Sequence, residues 1–446
     1  MTATESRDDA IHRTLDVVWR MESPRLIAAL TRIVRDVGLA EDLAQDALEA
    51  ALRQWPESGV PDNPAAWLMG TAKHRAIDAL RRQATLQRKA VQLGHDLALE
   101  EGMAAELETA IDNAAIGDDL LRLVFICCHP LLSIDARVAL TLRLLGGLRT
   151  DEIARAFLSS EATIAQRIVR AKRTLSEAKV PFDVPQGADF DARLGSVLQV
   201  IYLVFNEGYT ATSGEEWVRP ALCEDALRLG RVLAGLVPDQ PEVDGLVALM
   251  EIQASRIRAR TDPATGAPIP LLEQQRGRWD RLLIQRGLAA LERADTFPGP
   301  RGSYALQAAI AACHARARTA DATNWSRIVA LYDALAELSP SPIVELNRAV
   351  AVGMADGPAA GLELVDALVR EPSLKAYHLL PAVRGDLLAK LGRHEEAASE
   401  FARAASLTRN VPERNLLLDR ARAEGGAGTL EVPGALPDGR RPRPRD

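Results

Sequence analysis

Apolar residues return at helical spacing along almost the whole chain. Between Asp16 and Val37, the positions Val17, Val18, Leu26, Ile27, Leu30, Ile33 and Val34 mark one face of a helix. Pro24 falls inside that run. A proline removes a helix hydrogen bond, so the pattern predicts two helices there rather than one. Leu39–Trp55 repeats the spacing, Trp55–Pro64 reads as a loop from its prolines and glycine, and Ala65–Thr85 starts a third helix behind Pro64. Further on come an apolar helix at Leu120–Cys128, a proline break, and a helix at Asp135–Leu145 that Gly146-Gly147 ends. Two more follow at Asp151–Phe157 and Glu161–Leu175, and the chain then reads as helical from Asp191 to Gly425.

Composition supports an all-α protein. Aromatic residues are only 4% of the chain and apolar residues 47%, a balance that disfavours sandwiches built from β-branched and aromatic strands. The 446 residues predict several domains. Boundaries follow from breaks in pattern: 9–90, an acidic linker 91–119, 120–180, a Pro/Gly linker 181–190, a long helical part 191–425, and a Gly/Pro/Arg-rich tail 426–446 expected to be disordered. From Asp96 to Asp119 there are eight acidic residues and no Lys or Arg, which reads as a solvated tether. Met1–Arg20 has no apolar signal core, and no apolar run reaches spanning length. Four scattered cysteines form no disulfide framework. The expectation is a cytoplasmic protein with no membrane partner.

The net charge of −7 places the burden on local charge, because a DNA-binding chain must gather cations where it meets phosphates. Two places do so. In Glu161–Leu175, Ile164, Ile168, Ala171 and Leu175 line one face and can pack on Ile153, Ala154 and Phe157. Gln166, Arg167, Arg170, Lys172 and Arg173 lie away from it, and Ser160 can cap the helix. This is a helix-turn-helix pattern: the second helix can enter a major groove, where Arg pairs with guanine and Gln with adenine. The plainer alternative is a helical hairpin with a basic surface. Val60–Ala90 holds six Lys/Arg against two Asp, beside a polar loop, which suits a single strand. Trp67 there reads first as a core residue.

These segments resemble the regions of a bacterial RNA polymerase sigma factor of the extracytoplasmic-function class. Asp36–Leu52, with its Ala-Glu-Asp-Leu-Ala-Gln core, resembles region 2.2. Trp67–Arg82, ending Ala-Ile-Asp-Ala-Leu-Arg-Arg, resembles regions 2.3 and 2.4, and Asp151–Leu175 resembles region 4.2. His74 departs from the asparagine that many members carry. The resemblance implies a helical region 2 that binds the polymerase core through Asp42, Gln45 and Asp46, against the β′ clamp helices, with the β subunit as a further contact. It implies −10 recognition as separated strand by Asn63, Trp67, Lys73, His74, Arg75, Arg81 and Arg82. It implies −35 recognition as duplex by Glu161, Thr163, Gln166, Arg167, Arg170, Lys172 and Arg173. Promoter DNA and polymerase core are the implied partners, with no cofactor and no catalysis.

The long C-terminal part resembles tetratricopeptide units at His378–Arg409, Pro342–Glu371 and Ser303–Pro340, where Gly361, Gly385 and Ala397 fall at small positions. Such an extension would modulate activity through a protein or ligand partner. Asn206-Glu-Gly-Tyr209 reads as a helix end capped by Asn206 and Gly208, or else as part of a ligand site. Two rivals stand beside the sigma reading, with a pure scaffold built on the C-terminal repeats as a third. One is a helix-turn-helix regulator with a helical effector domain. The other is a thiol or metal enzyme at Cys127-Cys128-His129, against which no paired-histidine motif or phosphate loop appears and adjacent cysteines read as packing.

Overall fold

The computed structural model describes residues 3–90, 113–157 and 159–426. The acidic stretch as far as residue 112 and the tail from residue 427 lie outside them. The described chain is α-helical, with one two-residue parallel β pair, β1 (Ser213–Gly214) with β2 (Arg409–Asn410). It divides into two compact units, Met1–Gly208 with Arg219–Val247, and Tyr209–Val218 with Ala248–Asp446.

The first unit opens with α1 (Ala3–Val34), which runs unbroken through Pro24. The expected break is absent because packing on both sides of the proline outweighs one lost hydrogen bond: Ile11 and Leu15 before it and Leu26, Ile27, Ala28, Ala29 and Leu30 after it are all buried. α2 (Val37–Ser58) is capped by the Asp36 carboxylate, which accepts from Leu39 N at 2.8 Å, and it continues through Pro56 into the stretch expected to be loop. α3 (Pro64–Ala90) begins where Asn63 accepts from Ala66 N at 3.0 Å, with Pro64 in its first turn.

α4 (Asn113–Cys127) takes up the end of the acidic stretch. Asp119 is no part of a solvated tether: it is 1% exposed, with Arg32 at 3.0 Å and Arg122 at 2.9 Å. α5 (Ile134–Leu144) ends at the two glycines, where Gly147 has φ +69°. α6 (Thr150–Ala156) and α7 (Glu161–Glu177) form the two-helix motif.

α8 (Ala188–Tyr209) and α9 (Pro220–Leu236) add to the same core. The helix does not stop at Asn206 or Gly208. Gly208 is instead a close-approach residue: a Cβ there would lie 2.7 Å from Cys223 N and 2.8 Å from Leu222 Cβ, so only glycine lets α8 and α9 meet at this height. Glu207 beside it is buried and paired with Arg219 at 2.6 Å.

In the second unit, the loop 209–218 is clasped to the C-terminal helices. Asn410 Nδ2 donates to Ala211 O at 3.0 Å and to Glu216 O at 2.8 Å, and Arg260 stacks on the Tyr209 ring at 3.8 Å. α10 (Pro241–Ala254), begun in the first unit, leads through short 3-10 turns to α11 (Arg281–Asp295). Helix pairs follow: α12 (Ser303–Arg316) with α13 (Trp325–Leu338), α14 (Pro342–Ala355) with α15 (Pro358–Leu368), and α16 (Leu379–Lys390) with α17 (His394–Leu407), closed by α18 (Val411–Gly425). These pairs fall on the three segments read as repeats. Gly361 and Gly385 let helices touch: a Cβ at the first would meet Ala349 O at 2.8 Å, and at the second the Phe401 ring at 2.9 Å. Leu346, Val365, Leu388, Phe401 and Leu417 belong to one continuous core across the last five helices.

Candidate nucleic-acid interface

The helix-turn-helix is built by local chemistry. Ser160 caps α7 through its side-chain oxygen, which accepts from Thr163 N at 3.1 Å. Ile164, Ile168, Ala171 and Leu175 are all buried, as are Ile153 and Ala154 on α6. The other face of α7 holds a strip of exposed residues, Thr163, Gln166, Arg170 and Arg173, spaced three and four apart. Glu161 is exposed in the first turn. Val169 sits beside the strip at 62% exposure, an apolar side chain on an otherwise polar face that the sequence reading passed over.

Not every expected residue faces out with that strip. Arg167 is half-buried, 3.3 Å from Asp135, while Arg173, within the strip, donates from its guanidinium to Glu177 at 2.6 Å. Lys172 is turned the other way, onto α2. Its ammonium pairs with Glu41, and Asp42 lies 4.0 Å from it. Glu41, whose side chain is 4% exposed, also accepts from Arg143 of α5 at 2.6 Å. A carboxylate buried between two cations is tightly held, since removing one partner of such a group typically costs about 3–5 kcal/mol. Around it, Ser176 Oγ donates to Asp36 at 2.8 Å, and Arg20 of α1 donates to Glu152 of α6 at 2.8 Å. Helices α1 and α2 therefore pack against α4, α5 and α6 as well as against the far half of α7.

On α2, Asp42 is exposed, Gln45 donates to Glu41 at 3.3 Å, and Asp46 pairs with Arg75 of α3 at 3.1 Å. Trp67 is half-buried and meets the fully buried Trp55 edge-on at 5.5 Å. Asn63 spends its side-chain oxygen on capping α3. His74, Arg81 and Arg82 are exposed along α3, while Lys73 and Arg75 are half-buried. The structure thus gathers Lys73, His74, Arg75, Arg81 and Arg82 on one helix, with Trp67 in its first turn packed on Trp55 of α2.

Cys127 and Cys128 are buried. Burial pushes the Cys127 thiol well up and the Cys128 thiol up to about 11, the opposite of what a reactive thiolate needs. No group of three His, Cys, Asp or Glu among the described residues is placed to hold a metal, and no described helix is long and apolar enough to cross a membrane.

Comparison with known proteins matches three parts of the chain. Residues 18–85 match sigma-70 region 2, residues 122–175 match sigma-70 region 4, and residues 193–295 match a family of unknown function, DUF6596. An uncharacterized protein of Rhizobium meliloti (strain 1021) is 43% identical over 92% of this chain and 96% of its own length. The probable ECF RNA polymerase sigma factor SigI of Mycobacterium tuberculosis (strain ATCC 25618 / H37Rv) is 25% identical over 39% of this chain, which spans 58% of that relative. The ECF RNA polymerase sigma factor SigK of Mycobacterium ulcerans (strain Agy99) is 28% identical over 39% of this chain and 96% of its own length. No solved structure matches. With region 2 and region 4 in order, a helix-turn-helix inside the second and relatives named as such factors, the chain belongs to the RNA polymerase sigma factors of the ECF class, non-enzymatic initiation factors that bind polymerase core and promoter DNA, here extended by a DUF6596 segment.

Proposed function

We propose that the exposed strip of α7 reads the −35 element and that α3, with the Trp55–Trp67 pair at its start, captures the separated strand of the −10 element. The strip carries the −35 reading: Gln166 and Arg170 are the residue types that bond base edges, and Thr163 and Val169 can meet a thymine methyl. Glu161 and Arg167 flank it, and Arg173 ends it. Lys73, His74, Arg75, Arg81 and Arg82 supply the cationic track for the single strand, and Asn63 holds its entry by fixing the start of α3. Asp42, Gln45 and Asp46 meet the β′ clamp helices, and region 4 meets the β subunit. The protein works in the cytoplasm.

The packed arrangement in the first unit is an off state. The two promoter elements are named for positions about 25 base pairs apart, roughly 85 Å of duplex at about 3.4 Å per pair. A compact unit of some 240 residues is roughly 45 Å across. Region 2 and region 4 cannot reach both elements while Ser176 and Asp36 share a hydrogen bond, so the Glu41 ion pairs must part before the promoter is engaged. Lys172, paired with Glu41 in this state, is released to the DNA only on opening.

The extension modulates this equilibrium. Its first helices are continuous with region 4: Ser196 donates to Cys128 O at 2.9 Å and accepts from Arg137 at 2.8 Å, Arg193 donates to Phe125 O at 3.0 Å, and Arg228 donates to Gly146 O at 2.9 Å.

Three outcomes are expected. Arg170→Ala should weaken initiation from a matched promoter about 10- to 100-fold while leaving core association intact, consistent with about 1–3 kcal/mol for a base contact, and Arg167→Ala should cost less. Run-off transcription and core pull-down check this, and equal losses at both positions would count against the strip. Asp36→Cys with Ser176→Cys, joined by a short cleavable bis-maleimide, should bind core weakly and initiate nothing until the linker is cut. Full initiation with the linker intact would refute the off state. Truncation after Pro185 removes the cover from the region 4 face that α8 packs on. It should lower the urea midpoint of the remaining chain and change initiation, and behaviour identical to the full chain would show the extension to be idle.

A further inference from the structure

A cavity of about 550 Å³ opens in the first unit where region 2, region 4 and the extension come together. Its walls are mostly apolar and come from five helices: Pro24 of α1, Val124 of α4, Thr141 of α5, Ile201 of α8 and Val232 of α9 are representative. At about 30 Å³ per water it would hold some 18 waters against a wall that offers them few partners, which is unfavourable for water and favourable for a hydrocarbon chain. Its volume lies within the range of about 300–1,000 Å³ typical of small-molecule sites. The polar lining is lopsided. Arg25, Arg228 and Arg231 border it, against a single carboxylate, Glu22. Arg228 is partly committed, to Leu145 O and Gly146 O and to Asp225 at 3.6 Å, and Arg25 lies 3.8 Å from Glu22. Among the lining side chains the cations outnumber the anions three to one, and a guanidinium has five N–H donors to share among its partners. Gly235 of α9 also lines the cavity, and a Cβ built on it meets nothing within 4 Å, so the free space reaches the helix backbone.

We propose that this cavity binds an amphipathic carboxylate, the anion of a medium-chain fatty acid, with its chain between the apolar walls and its head at the arginines. The site draws on α1 of region 2 as well as on α4 of region 4 and α8 and α9 of the extension, so it is complete only while these stay packed. A ligand stabilises the state it binds better, and this one therefore favours the closed arrangement and lowers initiation. That second consequence rests on the off state argued above; the binding itself does not.

The test uses the full chain and dodecanoate, kept below its micellar concentration, with dodecanol as the uncharged counterpart. Calorimetry should show one dodecanoate per chain and at least tenfold weaker binding of dodecanol. Gly235→Leu fills the cavity without a backbone clash and should weaken dodecanoate at least tenfold in a protein whose melting temperature is not lowered. Arg25→Glu with Arg231→Glu should weaken dodecanoate at least tenfold and leave dodecanol unchanged. No binding, equal binding of dodecanol, or undiminished binding by Gly235→Leu would each overturn the site. In run-off transcription, dodecanoate should inhibit the unsubstituted chain and spare Gly235→Leu. If dodecanoate binds as described but initiation is insensitive to it, the regulatory step falls and the site stands. If the chain initiates nothing even without dodecanoate, the sigma reading of its surfaces fails instead.

Discussion

One buried carboxylate organises the relation between the two DNA-reading parts of this protein. Glu41 comes from the helix matched to region 2.2, and it is held by Arg143 from α5 and by Lys172 from the recognition helix α7. A charge removed from water this fully must be compensated locally, and here both compensating cations come from region 4. The consequence is geometric: the far half of the recognition helix lies on the helix that carries Asp42, Gln45 and Asp46, with Ser176 on Asp36 extending the contact. The same chemistry makes the contact reversible. In the proposed opening, Lys172 would trade Glu41 for DNA phosphate and Glu41 would trade Lys172 for water, so the closed state is held by groups that the opened state can satisfy.

The extension is part of this arrangement and not an appendage. Gly208 brings α8 and α9 into contact, and the pair Glu207–Arg219 is buried beside it, with Arg219 also donating to Ala156 O at the end of α6. Arg228 satisfies the carbonyls left open where α5 ends at Leu145 and Gly146. The first DUF6596 helices thus complete hydrogen bonds that region 4 leaves unfinished. The later helix pairs are assembled by another rule, small residues at contact points and one shared apolar seam, which Gly361 and Gly385 make visible.

What the chain disclosed in advance was whatever depends on near neighbours. The helix-turn-helix was legible because its cap, its apolar stripe and its turn all lie within 25 residues, and the later helix pairs were legible because each small residue serves a nearby helix. What was missed depends on distant partners. Pro24 carries a local signal for a break, and burial of Leu26–Leu30 overrides it. Gly208 carries a local signal for a helix end, whereas its role is set by Cys223. Glu41 stands in a run of Ala, Glu, Asp and Leu with nothing to mark it, because its partners lie more than 100 residues away. Lys172 could have been separated from the reading face: at 100° per residue it falls off the strip Thr163–Gln166–Arg170–Arg173, a distinction that counting basic residues hides.

Initiation by this route requires that the two readers begin together and end apart. The direct measurement is the distance between fluorophores on α2 at Gln54 and just past α7 at Ala178, both exposed, read by single-molecule energy transfer. The protein alone should show one short distance, replaced by one longer by tens of ångströms once polymerase core and promoter DNA are added, as roughly 85 Å between the two elements demands. A distance that is already long in the free protein, or one that stays short in an initiating complex, would contradict it.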